Sequence, residues 1–239
     1  MSYAERAPAR ALTRHVECLW AQRALGPLDQ RVVPDGCVDL LWWDGSLQVA
    51  GPDTAWRTVS LTPGSSIAGI RFRPGAGSLL FGGVPLDEAR DQELSLADLW
   101  GGPAARSLCT RLADAPDPAR VLEQAFVDRL PDSGELDPIA SAAARALNSP
   151  EALPVATLAD RFGVSPRQLR RRVTAAVGYG PKTLEGVLRL RRALRLLESG
   201  GPAAEVAAVA GYADQPHLTR EMHRLAGVTP ASVVSGVTG

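Results

Sequence analysis

Two stretches near the C-terminus share one design, and that design constrains the chain more than any other feature. In the first, "VATLADRFGVSPRQLRRRVTAAVG" (155–178), Leu158, Ala159 and Phe162 fall on one helical face. Gly163 then stops the helix, Ser165 is a good N-cap, and Pro166 falls at the first helical position, where its missing N–H costs nothing. This is a helix, a short turn containing glycine, and a second helix, the arrangement that seats the second helix in a DNA major groove. The second stretch, "AAEVAAVAGYADQPHLTREMHRLA" (203–226), repeats it with a turn one residue longer. Val206, Ala207 and Ala210 form the packed face, Gly211 is the stop, Asp214 is the N-cap, and Pro216 lies in the following first turn.

At about 100° per residue, the second helix of the first unit sorts its residues by angle. Leu169, Val173, Ala176 and Val177 gather on one side, and Arg167, Arg170, Arg171 and Thr174 on the other. Arg172 sits on the flank with Gln168, placed to reach a phosphate or a neighbouring carboxylate rather than a base edge. In the second unit Leu218, Met222 and Leu225 point inward, leaving Pro216, Thr219, Arg220 and His223 at the equivalent outer positions. A solvated helix surface also carries arginines, but the charge here is unbalanced and faces away from the apolar stripe. The whole chain is formally neutral, yet residues 151–239 hold 12 Lys+Arg against 7 Asp+Glu, and residues 1–150 hold 14 against 19. A basic C-terminal third beside an acidic remainder points to a polyanion-binding module joined to a domain of another kind.

Between the units, "PKTLEGVLRLRRALRLLESG" is predicted to form one connecting helix over 182–198, with Leu184, Val187, Leu190, Leu194 and Leu197 apolar. Its rise of roughly 24 Å suits two reading helices about one DNA turn apart, roughly 34 Å. Arg189, Arg192 and Arg195 form a row that either follows the DNA backbone or is a solvated face.

Residues 155–234 resemble the C-terminal DNA-binding domain of the AraC/XylS family of transcriptional regulators. The likeness rests on "LADRFGVSPRQL", "RLRRALRLLE" and above all "VAAVAGYADQPHLTREMHRLAGVTPASV". Val173, Leu218 and Met222 stand where that family has phenylalanine, which keeps the packing apolar. By position, the resemblance implies base readers at Arg167, Arg170 and Arg171, and at Gln215, Thr219 and Arg220. Arginine can donate two hydrogen bonds to guanine O6 and N7, and glutamine can pair with adenine. Residues 1–150 resemble an uncharacterised N-terminal domain found in some such regulators, through "VVPDGCVDLLW", "VAGP" and "GIRFRPGA".

Within those residues, short apolar or alternating runs separated by Gly, Pro and Asp predict strands across about 30–74, with Asp44-Gly45 as a tight hairpin turn. Helical texture follows over about 76–148. "NSPEALP" (148–154) has the punctuation of a linker, which divides the chain into 1–150 and 151–239. The expected fold is an α+β N-terminal domain, a small antiparallel β-barrel or sandwich of cupin-like type followed by helices. An all-α domain with two helix-turn-helix units and a long connecting helix completes it. An apolar pocket with a few polar anchors would draw on Trp42, Trp43, Trp56 and Phe72 with Arg71, Arg73, Asp35 and Asp39, although ordinary core packing is the simpler account of the aromatics.

The expected function is a sequence-specific transcriptional regulator that binds double-stranded DNA and is controlled by a small-molecule effector in the N-terminal domain. Homodimerisation and contact with RNA polymerase are the further expected partnerships. Alternatives are a redox or alkylation sensor at Cys37, an enzyme in the N-terminal domain with an autoregulatory DNA-binding domain, and a non-specific architectural DNA binder. No Ser/His/Asp arrangement supports catalysis, His15 being the only histidine before residue 151. No cofactor and no metal are expected, since Cys18, Cys37 and Cys109 lie far apart without a ligand cluster. Without a long apolar run or an apolar leader, the expectation is a cytoplasmic protein, nucleoid-associated when on DNA.

Overall fold

The computed structural model describes residues 2–82, 84–149 and 151–234. Its first half runs through β1 (Ser2–Arg6), β2 (Val16–Arg23), β3 (Leu28–Val32), β4 (Val38–Trp43), β5 (Ser46–Ala50), β6 (Arg57–Leu61) and β7 (Ser66–Phe72). A short β8 (Glu93–Ser95) then leads into α1 (Leu96–Trp100), α2 (Gly102–Ala113) and α3 (Pro118–Arg129). Antiparallel pairing builds a six-stranded sheet in the order β1-β2-β7-β4-β5-β8, while β3 and β6 form a separate ribbon.

Successive side chains on a strand point to opposite faces, so each central strand feeds two different environments. Leu40, Val49, Ile70 and Phe72 pack under the helices with Leu108, Leu122 and Phe126. Trp20, Leu41 and Ile67 meet Val59 and Leu61 of the ribbon on the other side. The β4–β5 hairpin turns at Asp44 (φ 44) and Gly45 (φ 84), the positive angles that a two-residue hairpin requires. The expected barrel does not close: β3 and β6 pair with each other and with no strand of the larger sheet, so the ribbon faces that sheet as the second layer of a sandwich.

The second half is α-helical: α4 (Pro138–Leu147), α5 (Val155–Arg161), α6 (Pro166–Val177), α7 (Pro181–Glu198), α8 (Ala203–Ala210), α9 (Gln215–Ala226) and α10 (Pro230–Val234). At the start of α6, the Ser165 hydroxyl accepts from the Gln168 N–H while the Gln168 side chain accepts from the Ser165 N–H, a full capping box. Asp214 caps α9 by accepting from the His217 N–H at 2.6 Å. Leu184, Val187 and Leu188 of α7 join the core of the first unit, and Leu190, Ala193 and Leu197 join that of the second. One helix therefore threads both cores. Ala140, Ala143, Ala144 and Leu147 of α4 also belong to the first of these cores, although "NSPEALP" separates α4 from α5 in the chain. Pro150 in that segment and residues 235–239 lie outside the described residues.

The halves touch along a seam. Glu17 ion-pairs with Arg191 of α7, and Arg31 donates to the Gly227 carbonyl at 3.1 Å. A Cβ added at Gly178, just after α6, would come within 2.3 Å of Pro52 Cγ. Among the described residues no helix is long and apolar enough to cross a membrane, and no group of His, Cys, Asp or Glu could hold a metal.

Candidate DNA-reading face and ligand cavity

Leu169, Val173, Ala176 and Val177 are buried, which turns Arg167, Arg170 and Arg171 out to solvent and leaves Thr174 half-buried. The three arginines make no hydrogen bond or ion pair among the described residues, whereas Arg172 pairs at 3.2 Å with Asp137, the N-cap of α4. The flank position thus reaches a carboxylate, and the partly exposed Arg172 ties α6 to α4. On α9, Leu218, Met222 and Leu225 are buried, Gln215, Arg220 and His223 are exposed, and half-buried Thr219 donates its hydroxyl to the Gln215 carbonyl.

Two residues of the arginine row on α7 act inside the protein. Arg189 stacks over the Tyr212 ring at 4.7 Å and donates to the Gly211 carbonyl, and Arg192 donates to the Ala210 and Asn148 carbonyls. Both guanidinium groups therefore meet the carbonyl end of α8, which attracts cations. Arg195 alone is exposed. A concave surface between the units joins Arg167 and Arg170 to Lys182, Arg189 and Arg224, with Glu185 and Glu221 interspersed. A second groove of ≈ 620 Å³ has Arg167, Arg170, Arg171 and Thr174 on one wall and Pro85 and Asp87 of the first half on the other.

The cavity of the first half lies between sheet and ribbon, ≈ 430 Å³ in volume, with Leu194 and Glu198 of α7 also in its lining. Strand alternation decides which predicted pocket residues reach it. Trp43, Arg71, Asp35, Asp39 and Cys37 line it; Trp42 packs against the helix-side core, and Phe72 is fully buried there. Trp56 stands apart, with the Arg31 guanidinium 4.7 Å over its ring and close to Gly227, and exposed Arg73 pairs with Glu17. Tyr3, Trp20, Asp53, Arg57 and Glu93 also line it, with Gln22, Gln30 and Arg31, and none of these is among the pocket residues expected from the sequence. The alternation of Cys18, Trp20 and Gln22 in "VECLWAQR" carries the signal for Trp20.

Inside the cavity Arg71 reaches Asp39 at 3.1 Å and Asp35 at 3.6 Å, and Trp20 Nε1 donates to Asp39 at 3.0 Å. Burial raises the Asp39 carboxyl despite the arginine, and burial raises Asp53 in the same way. Cys37 is 5% exposed, and burial followed by the Asp35 charge pushes its thiol well up. A reactive thiol needs a lowered pKa; Cys37 lies in the cavity wall with its thiol pushed up instead, which weighs against the thiol-sensor alternative.

The fold and the outward-facing helices define a protein with two helix-turn-helix units in its second half. Residues 158–235 match the family model described as a helix-turn-helix domain, and residues 4–95 match a domain of unknown function, DUF6597. The order of the two matches, a DUF6597-type domain before a helix-turn-helix domain, agrees with the arrangement that the sequence resemblance to AraC/XylS regulators implies. No curated protein matches the chain. ToxT from Vibrio cholerae is similar over the whole of both chains, at 11% identity with a TM-score of 0.53. The same protein solved with an unsaturated fatty acid bound is 12% identical over 90% of this chain and 93% of that one, TM-score 0.45. The C-terminal domain of AraT, a response regulator from Geobacillus stearothermophilus, is 25% identical over 43% of this chain and 88% of its own, TM-score 0.40.

Proposed function

We propose that this AraC/XylS-type DNA-binding regulator reads a specific operator with α6 and α9 and answers to a small molecule held between sheet and ribbon. Arg167, Arg170 and Arg171 are the principal base readers, with Thr174 beside them; Gln215, Thr219, Arg220 and His223 read the second groove. The observation that carries this reading is the contrast among arginines of one helix. Three lie on the outer face with no ion pair among the described residues, while Arg172, one position on, is held by Asp137. Arg172 is assigned to the α4 contact rather than to DNA. In this reading the effector domain ends before α4, because α4 shares the core of the first DNA-reading unit. The regulator acts as a homodimer and meets RNA polymerase at the promoter; sedimentation at several concentrations tests the first, and two-hybrid or pull-down assays with polymerase subunits test the second.

The test compares two neighbouring substitutions on DNA selected from a random pool. Arg171→Ala should weaken binding by about 1–3 kcal/mol and relax the choice at one base position. Arg172→Ala should leave base preference unchanged and lower unfolding stability by about 0–1 kcal/mol, as for a partly exposed ion pair. A uniform loss across all sequences for Arg171→Ala would make it a phosphate contact, and altered base choice in Arg172→Ala would overturn its assignment.

A further inference from the structure

The cavity between sheet and ribbon holds carboxylates and arginines in an uneven arrangement. Arg71 is shared by Asp39 and Asp35, at 3.1 and 3.6 Å. Arg57 is shared by Asp53 and Glu93, at 3.5 and 2.6 Å. Each guanidinium therefore serves two carboxylates. Arg31, the remaining cation of the lining, is turned to the Trp56 ring and the Gly227 carbonyl. Glu198, exposed where α7 meets the cavity, has no ion pair among the described residues and adds one more negative charge. The raised carboxyls of Asp39 and Asp53 agree with acids whose arginine partners do not fully offset their burial.

Two further features accompany this charge. Tyr3, Trp20 and Trp43 line the same space, the Tyr3 and Trp20 rings lying 6.1 Å apart. Aromatic rings attract cations through their quadrupole, most strongly where water is excluded. Trp43 Nε1 and Arg31 Nε are buried donors without an acceptor among the described residues, and a buried unsatisfied donor is costly unless a ligand supplies the acceptor. The volume of ≈ 430 Å³ lies within the range of small-molecule sites.

From these observations we infer that the cavity binds a small organic cation, an amine or quaternary ammonium bearing a hydroxyl or carbonyl oxygen. This rests on the proposal that the cavity is the effector site, and deepens it by naming the class of ligand. The positive group meets the surplus carboxylates and the aromatic rings; its oxygen accepts from Trp43 Nε1 or Arg31 Nε. Because Leu194 and Glu198 belong to α7, such a ligand also touches the helix that runs through both DNA-reading units.

Isothermal titration calorimetry of the full chain with four probes tests the class: choline, ethanolamine, the uncharged choline isostere 3,3-dimethyl-1-butanol, and palmitoleate. At least one cation should bind, with the uncharged isostere at least about tenfold weaker than choline. Glu198→Gln, an exposed change that should not disturb folding, should weaken the cation several-fold and leave the isostere unaffected. Equal binding of choline and its isostere would overturn the inference, as would a Glu198→Gln protein that binds the cation as well as wild type. Binding of palmitoleate with no cation bound would overturn the cation class while leaving the effector cavity standing. Binding of none of the four would overturn the class and count against the cavity as an effector site, whereas DNA selection tests the regulator reading separately.

Discussion

Gly69 shows how closely single residues determine the cavity. It pairs across the sheet with Trp20 on one side and Leu41 on the other, and a Cβ there would lie 2.5 Å from the Trp20 ring. The missing side chain lets the indole lie over β7 and donate to Asp39. Gly69→Ala should therefore destabilise the protein by about 1–3 kcal/mol, the cost of overpacking a filled site, measured by urea unfolding, and should weaken ligand binding to the cavity in calorimetry. The sequence reading found the right strands here but chose residues from both faces of them. Trp42 and Trp43 are adjacent, as are Arg71 and Phe72, so one of each pair had to point away from any shared pocket. Deciding which one required knowing where the helices pack, and that is a long-range fact that the local pattern does not contain.

Among the elements, those of the DNA-reading half were legible almost to the residue because their signals are local. Ser165, Pro166 and Gln168 fix the start of α6, Gly163 and Gly211 end the preceding helices, and Asp214 caps α9. Ser165→Ala removes the hydroxyl arm of the capping box, which accepts from the Gln168 N–H, and keeps the backbone N–H that donates to the Gln168 side chain; it should cost about 1 kcal/mol, measured by thermal or urea unfolding, and a Ser165→Asp control should retain most of that stability. Strands β1, β2 and β8 fall outside the predicted 30–74; β2 carries apolar alternation in "VECLWAQR" that the strand assignment passed over, whereas the other two lack such a signal. Every residue of β1 is exposed, so this edge strand shows no apolar alternation, and β8 has only three residues. The predicted "AGSLLFG" helix is only a 3₁₀ turn, Gly77–Phe81, closed by left-handed Gly82. Helix α4 was visible as a helix, but its alanine-rich face could not reveal that its partners lie beyond the linker.

At the scale of the molecule, the two halves meet where control over DNA binding would have to act. Pro85 and Asp87 wall one side of the groove beside the reading face of α6, and Asp87 brings negative charge to the place where a phosphate would approach. Asp87→Lys should raise affinity for operator and steepen its salt dependence by about one unit of slope, since each phosphate neutralised adds about that much. The Glu17–Arg191 pair closes the seam elsewhere. Burial raises the Glu17 carboxyl, but Arg191, Arg73 and Arg71 together outweigh this and hold it below the ordinary range. A carboxyl lowered in the folded state stabilises fully above the unfolded value, about 4.3, and loses that contribution as pH falls through the folded value. Glu17→Gln should therefore melt below wild type at pH 6, with the difference closing as the pH drops below about 4. The central claim is that α6 and α9 select a base sequence rather than DNA in general. It is tested most directly by measuring, at one fixed near-physiological salt concentration, the affinity of the full chain for its best duplex from a random pool and for a shuffled duplex of the same composition. The account predicts that the selected duplex binds roughly 10³-fold or more tightly; equal affinity for the two would contradict it.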